Sequence, residues 1–441
     1  MSRTVTPQTL SGISNADFWK LARAKNPNFA SHTSEGTKDL FTERGFEALR
    51  LNDVQAINEW FELSIRIAFQ KMDISRARNP LADIGLVEVY NTPNGGFVQR
   101  IAINSIKPIT PKFKGLEDGM SVDPFVIRKS TQNERFFGQN FDYSSLITIQ
   151  DFQVKQIFLD DYGMGMFLAG IMEGFANGYK LQEYVNTKEA INAAINSTEF
   201  PLQSSQILEV PEFVKDAPTD DNLKDLILEI KDLATAMKTQ AQTGMYNANG
   251  FETVVDNSDY VCLMRAGIKN RIQMQLEVGA FNPDRLTIPF NVEEISDFGG
   301  LLPYSVDSTQ TPATETMLQE VYDVFGVVVG YIDASVTVNG YATKDSQGRW
   351  IVSVTSGSTT ADTTIVSPDD VTWKDTNDEV IAIIAQKGLI FENKQNPYTV
   401  RPIYNPRGMY TNYWANSPNN AINVDPNYNM IVITAGAVTG D

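Results

Sequence analysis

Residues 154–196 constrain this chain more than any other stretch. Apolar side chains recur at Met164, Phe167, Leu168, Ile171, Met172, Phe175, Tyr179, Tyr184, Val185, Ile191 and Ile195. That spacing is close to the 3.6-residue helical period. Asp160 and Asp161 stand where a helix would be capped. The pattern predicts one helix over 163–196, roughly 50 Å long at about 1.5 Å per residue, far longer than an ordinary globular helix. Gly170, Gly174 and Gly178 are four apart and share one stripe of it. Each glycine costs a helix interior about 0.5–1 kcal/mol against alanine, so a backbone-close contact is expected on that stripe. A membrane span needs about 18–20 apolar residues, and the uncharged run Tyr162–Met172 stops at Glu173. Gly163, Gly165 and Gly170 miss the Gly-x-Gly-x-x-Gly spacing of a dinucleotide fingerprint. A long core helix is the expected reading.

A chain of 441 residues exceeds one ordinary core, so two or three structural units are expected. The hydrophobic fraction of 42% supports packed cores. The net charge of −18 gives a surface that repels nucleic acid. Cys262 is the single cysteine, which excludes an intrachain disulfide and fits cytosolic synthesis. It lies in the strand-like run Tyr260–Met264 and reads as a small buried hydrophobe. His32 is the single histidine and sits in a polar stretch, so a solvated loop residue is far more natural than a catalytic base. A Cys/His zinc site cannot be assembled from one of each. The first residues carry no apolar core of a secretion signal.

In order along the chain, residues 1–50 read as an arm of short amphipathic pieces, Ala16–Lys25 and Leu40–Leu51. With too little apolar surface for a core, they are expected to order against other subunits. Residues 51–84 hold a helix from Asn52 or Asp53 to about Met72, with Ile57, Trp60, Phe61, Ile65, Ala68, Phe69 and Met72 inward. Residues 85–140 read as a basic β-hairpin, in which Ile84–Tyr90 and Phe97–Ile103 flank a Pro93–Gly96 turn. A further strand is expected at Pro124–Lys129. Arg100, Lys107, Lys112, Lys114, Arg128, Lys129 and Arg135 make this the most basic stretch, interleaved with Phe113, Phe125, Phe136 and Phe137. A nucleic-acid groove would use such a pattern, but the overall charge favours a solvated hairpin or an arm reaching a neighbour.

Residues 141–215 continue through a strand at Leu146–Gln150 and the long helix into a Ser/Pro-containing link at Ser197–Pro218. Residues 216–302 read as a compact α/β unit. Thr219–Asn222 caps a helix to about Gln242, with Leu223, Ile227, Ile230, Leu233, Ala234 and Met237 inward. Strands at Phe251–Val255, Tyr260–Met264 and Leu286–Phe290 and a helix near Gly267–Val278 complete it. Residues 303–375, rich in Thr, Ser, Val and Asp, read as a small β-rich insertion, with strands at Val327–Ile332, Ser335–Val338 and Trp350–Thr355 and turns at Asn339-Gly340 and Gln347-Gly348. Residues 376–441 return through Val380–Ala385, Gly388–Glu392 and Tyr398–Tyr404 to a final strand, Met430–Thr434. Asn405-Pro406-Arg407-Gly408 carries a type I turn signature.

Chemistry is sparse: no catalytic, metal-ligating or cofactor-binding residues are assigned, and no cofactor is expected. No phosphate-binding loop is present. Asp425, Asn427 and Asn429 imitate half a calcium loop, but Met430 replaces its glycine and Gly436 its bidentate glutamate. The acidic pairs Asp220-Asp221, Glu293-Glu294 and Asp369-Asp370 fall at caps and turns.

The order of parts resembles the HK97-type major capsid (major head) protein of tailed bacteriophages, most like the phi29-type short-tailed phages, with crAss-like phages as the alternative lineage. Three places carry it: Asn79-Pro80-Leu81 before the hairpin, Phe167–Phe175 in the long helix, and Asn405-Pro406-Arg407-Gly408 continuing to Tyr413. The order matches over about 40–300 and 380–434; the insertion departs from it, and the phi29 type carries an extra domain after its last strand, where the sequence here runs on for a few residues. The resemblance implies an α+β HK97-like fold. In it, 1–50 is the N-arm and 51–84 a helix of the peripheral (P) domain. Residues 85–140 form the E-loop and 141–215 the P domain with its spine helix; 216–302 form the axial (A) domain, to which 376–441 return.

The same resemblance implies homo-hexamers and homo-pentamers in an icosahedral or prolate shell around double-stranded DNA, bound without sequence preference. The implied partners are a portal protein and scaffold or decoration proteins, with no membrane. The protein would be made in the host bacterial cytoplasm and reside in the virion. Arg100, Lys112, Lys114, Arg128 and Arg135 would be candidate intersubunit contacts, and Gly170, Gly174 and Gly178 a close-packing stripe for the P-domain sheet or a neighbour's E-loop. Two other classes stay open on the sequence: a receptor- or glycan-binding virion protein acting through 303–375, and an enzyme using paired carboxylates.

Overall fold

The computed structural model describes residues 12–27, 60, 62–65, 79–91, 98–104, 125, 127, 129–138, 141–150, 162–210, 213, 218–240, 244–253, 255–277, 288–307, 314–324, 327–356, 359–394, 399–405 and 407–435. His32, the Leu40–Leu51 piece, Asp160, Asp161 and the Pro93–Gly96 turn lie outside them, as does most of the expected helix before Met72. The fold is α+β and rich in strands. It divides into two compact units: Met1–Thr187 with Met237–Val261 and Ala385–Met430, and Lys188–Ala236 with Cys262–Ile384 and Ile431–Asp441.

The first unit holds the long helix, which runs Gly163–Ile195 and belongs to this unit through Thr187. Met164, Leu168, Met172, Phe175 and Tyr179 form its buried stripe, as the periodicity predicts. Asn15 starts an N-terminal helix, Asn15–Lys25, and its Oδ1 accepts the Met164 N–H at 2.9 Å, satisfying one of the four donors a helix start leaves open. That N-terminal piece does not wait for a neighbour, contrary to the expectation for an arm. It buries Phe18, Trp19 and Ala22 within its own subunit, and Trp19 meets Trp60 edge to face at 6.1 Å. Asn79 caps the short helix Pro80–Asp83 by accepting the Leu81 N–H, and donates to Thr187 Oγ1 at 2.6 Å.

A five-stranded sheet completes this unit. Val87–Asn91 pairs in parallel with Ile390–Lys394, which pairs with the second half of Tyr410–Val424. The first half of that long strand lies between Thr399–Asn405 and Phe141–Gln150. Val87–Asn91 is therefore not the hairpin partner of Val98–Ile103. The latter pairs with Gln132–Phe137, Val98 opposite Phe137 and Ile103 opposite Gln132, forming a separate two-stranded ribbon. Local turn chemistry suggested a short hairpin; a parallel pairing across three hundred residues of chain overrides it. No strand forms among the described residues of Pro124–Lys129.

A second five-stranded sheet, most of whose residues belong to the second unit, runs in the order Ile207–Val210, Met430–Ala435, Val380–Gln386, Tyr260–Arg265, Asn291–Ile295. Its central strands are apolar on both faces: Val261–Met264, Val380–Ala385 and Ile431–Ile433 are buried throughout. Cys262 is fully buried there, and burial pushes its thiol up to about 12. The expected Ser197–Pro218 link therefore contains a sheet strand. Phe251–Thr253 is not a strand, and the strand expected at Leu286–Phe290 starts at Asn291.

The helix Asp220–Gln240 begins as the sequence predicts. Thr219 and Asn222 exchange bonds: the Asn222 N–H donates to Thr219 Oγ1, and the Thr219 N–H donates to Asn222 Oδ1. Leu226 joins the predicted inward set, whereas Leu233 is only half-buried.

Residues 301–375 of this unit form two small sheets. One orders as Val328–Asp333, Thr314–Tyr322, Leu301–Asp307, Thr372–Asp375; the other as Thr337–Lys344, Trp350–Ser356, Thr359–Thr364. Val321, Ile332, Ala342, Val352 and Val354 form a buried cluster shared by strands of both sheets, and Trp350 and Ile365 pack on it. Gln347-Gly348 is a turn, with Gly348 at φ +80°. Asn339-Gly340 is not. It lies inside Thr337–Lys344, where the register shifts and Gly340 adopts φ +83°, as at a β-bulge.

Candidate assembly interface

The described residues hold no clustered catalytic or metal-ligating groups, so the features that bear on function are what each surface leaves exposed and how firmly it is held. The ribbon exposes apolar side chains on one of its faces. Its strands alternate, and alternation sends successive side chains to opposite faces. Gln99, Ile101 and Ile103 lie on one face, opposite Phe136, Glu134 and Gln132. Ile101 is 58% exposed, Ile103 55% and Phe136 61%.

The opposite face carries Arg100, and here the structure changes the sequence reading. Arg100 is largely buried and satisfied within its own chain. Its Nη1 donates to Asp425 Oδ2 at 3.0 Å; Nη2 donates to Glu88 Oε2 at 2.7 Å and to Tyr90 Oη at 3.3 Å. The guanidinium lies 4.9 Å from the Phe391 ring centre and 5.5 Å from that of Tyr428. Burial opposes its charge, but Asp425 and the neighbouring phenols more than offset this, and its pKa is raised. Both terminal nitrogens of Arg100 thus have partners within the chain. Phe137, across the ribbon, packs on the same Phe391 at 4.4 Å. Arg135 lies 5.2 Å from the Phe137 ring centre. Lys112, Lys114 and Arg128 lie outside the described residues.

Asp425 leads into a polar network. Its Oδ1 accepts from the Asn427 N–H and Nδ2, and Asn249 Nδ2 donates to Asn427 Oδ1 at 2.7 Å. Asn429 Nδ2 donates to Thr253 Oγ1 and to Tyr260 Oη, and Asn247 Nδ2 donates to Asn429 Oδ1. The Asp-x-Asn-x-Asn spacing that imitates a calcium loop thus serves a hydrogen-bonded loop. Among the described residues no group of three or more His, Cys, Asp or Glu is placed to hold a metal ion.

On the long helix, Gly170, Gly174 and Gly178 are exposed, and a Cβ added at any of them meets nothing within 4 Å among the described residues. No sheet of the subunit's described residues packs on the stripe. Met166, Leu181 and Val185, all exposed, flank it. At the C-terminal turn, Asn405 Oδ1 accepts the N–H groups of Arg407 and Gly408, an Asx-type turn, and Asn405 Nδ2 donates to Tyr410 Oη at 2.8 Å. Its function is to close the hairpin between Thr399–Asn405 and Tyr410–Val424.

The model of the Phi29-like phage major capsid protein family matches residues 22–434. The chain belongs to that family. Its role is structural and capsid-forming, in the capsid of a phage virion, and self-assembly into a shell follows; a receptor- or glycan-binding role is not favoured. No curated protein matches this capsid protein.

Among solved structures it is similar to the capsid of Staphylococcus phage Andhra, at 15% identity and TM-score 0.49, covering 78% of this chain and 81% of that one. A chain from the structure of head fiber and inner core protein gp22 of native bacteriophage P68 gives 13% identity and TM-score 0.46, covering 80% and 83%. The asymmetric unit of the bacteriophage PhiM1 mature capsid gives 7% and 0.42, covering 80% and 86%. These are loose likenesses, and the family model carries the assignment. Among the described residues no helix is long and apolar enough to cross a membrane.

Proposed function

We propose that this protein forms the hexamers and pentamers of an HK97-like icosahedral or prolate head around double-stranded DNA, joined by a portal and helped by scaffold or decoration proteins. In this reading the ribbon is the E-loop, Gly163–Ile195 the spine, and the second unit the axial domain with 301–375 as its insertion. The ribbon's exposed face of Ile101, Ile103 and Phe136 carries the proposal. Fully burying such a side chain contributes about 1.5–3 kcal/mol, whereas an exposed ion pair contributes about 0–1 kcal/mol. Apolar contact therefore dominates the joint.

The glycine stripe suits the same joint. Open in the subunit, it lets a neighbour's ribbon approach the helix backbone. An acidic subunit of net charge −18 suits a wall that must not adhere to packaged DNA.

The test is sedimentation and negative-stain imaging of purified protein, alone and with its scaffold. Wild type should give rings or closed shells. Gly174→Leu should give soluble, folded subunits that assemble at least tenfold less. Normal shells from Gly174→Leu would remove the stripe from the joint, and a strictly monomeric wild type would remove the proposal.

A further inference from the structure

We propose that Arg100 is a positioning residue for assembly: a latch that fixes the angle at which the ribbon leaves its own subunit, and so the geometry of the shell. The inference rests on the reading of the ribbon as an intersubunit arm. A two-stranded ribbon is marginally stable by itself, so its direction depends on what grips its root. Two side chains do so from its inner face, Arg100 on one strand and Phe137 on the other, and both converge on Phe391.

Phe391 lies in Ile390–Lys394, Glu88 in Val87–Asn91 and Asp425 just beyond Tyr410–Val424. The guanidinium thus ties the ribbon to three consecutive members of one sheet. A planar fork that donates to two carboxylates and a phenol while lying over a ring admits few orientations. An apolar contact at the same place would hold the ribbon without fixing its angle. Further along, the Glu252 N–H donates to Asn104 Oδ1 at 3.1 Å, so the ribbon has a second, weaker mooring to swing against when the latch is released.

The experiment separates latch from fold. Arg100→Met leaves Asp425 buried without its partner and can fail to fold, so Arg100→Lys and the double variant Arg100→Met/Asp425→Asn accompany it. Hydrogen exchange of the ribbon amides is measured in unassembled subunits, with shell size distribution read by electron microscopy.

In Arg100→Lys and in the double variant, ribbon amides should exchange at least tenfold faster, while the Val380–Gln386 strand keeps wild-type protection. The particles of both should be misshapen or widely spread in size. Unchanged ribbon exchange, or loosened ribbons that still give wild-type shells, would overturn the latch. Unlatched subunits that lose protection everywhere would also overturn it, showing Arg100 to be a general support. If wild type itself forms no shells, the assembly reading fails, and the exchange result still decides whether Arg100 holds the ribbon.

Discussion

The ribbon Val98–Ile103/Gln132–Phe137 and the insertion 301–375 are both made of short strands, yet they place their apolar side chains in opposite ways. The insertion folds two sheets over a cluster of its own, with Val321 1% and Val352 2% exposed. The ribbon has a single layer and leaves Ile101, Ile103 and Phe136 more than half exposed. Sheets that bury one face against another satisfy themselves. The ribbon packs only its inner face, through Arg100 and Phe137, and leaves the other open. The first arrangement suits a module carried by the subunit, and the second suits a joint between subunits.

The largest expected effect tests the insertion's self-sufficiency. Ile332→Ala should lower subunit stability by about 2–5 kcal/mol, through lost burial plus the cavity left behind, as read by denaturant unfolding followed through Trp350. A change below about 1 kcal/mol would mean that the cluster is not a true core.

Next in size is the stem of the insertion. Gly299 and Gly300 hold φ +82° and +74°, and a Cβ on Gly299 would strike the Lys188 carbonyl. Arg265 donates to Asp375 Oδ2 at 2.9 Å and to the Asn377 carbonyl at 2.8 Å, and Asn377 Nδ2 donates to Asn192 Oδ1. Gly299→Ala should cost about 1–3 kcal/mol from the backbone alone, measured by thermal unfolding. An unchanged midpoint would show that the stem relaxes freely.

A smaller effect belongs to Asp297. Burial pushes its carboxyl up, but Lys188 Nζ at 2.7 Å, the Ser296 hydroxyl and the Gly299 N–H outweigh that and hold it below the usual carboxylate range. A lowered folded pKa means stability that is fully present above the unfolded value of about 3.9 and lost as pH falls through the folded one. Asp297→Asn should therefore flatten the fall of the unfolding midpoint below about pH 4. A profile identical to wild type would show that the pair makes no contribution.

Phe136→Ser, the smallest in stability, should stay within about 0.5 kcal/mol of wild type, as exposed positions do, yet reduce shell yield. If it destabilised the subunit instead, the ribbon face would be internal.

The sequence made some of this legible. Periodicity located the long helix to within a residue, because a 3.6-residue stripe running from Met164 to Ile191 has no other use. The reciprocal Thr219/Asn222 cap was readable for the same local reason. Pairing was not. Nothing near Val87–Asn91 announces that its partner is Ile390–Lys394, and the Pro93–Gly96 turn signal pointed to a false hairpin.

The internal partners of Arg100 were not legible, because composition treats a basic residue as surface. The alternation alone pointed the other way: Ile101 and Ile103 share the face that the structure leaves open, whereas Arg100 lies with Val98 and Ala102 on the less exposed one. Asn339-Gly340 shows the same limit: a left-handed glycine serves a bulge as well as a turn, and only the register distinguishes them. The open glycine stripe could be seen in the sequence, but not which surface it would face.

The most direct measurement is hydrogen exchange compared between free subunits and assembled shells. Strong new protection of the ribbon amides at Ile101, Ile103 and Phe136 is expected on assembly, with little change at Trp350–Ser356 in the insertion. Ribbon amides equally exposed in subunit and shell would contradict it.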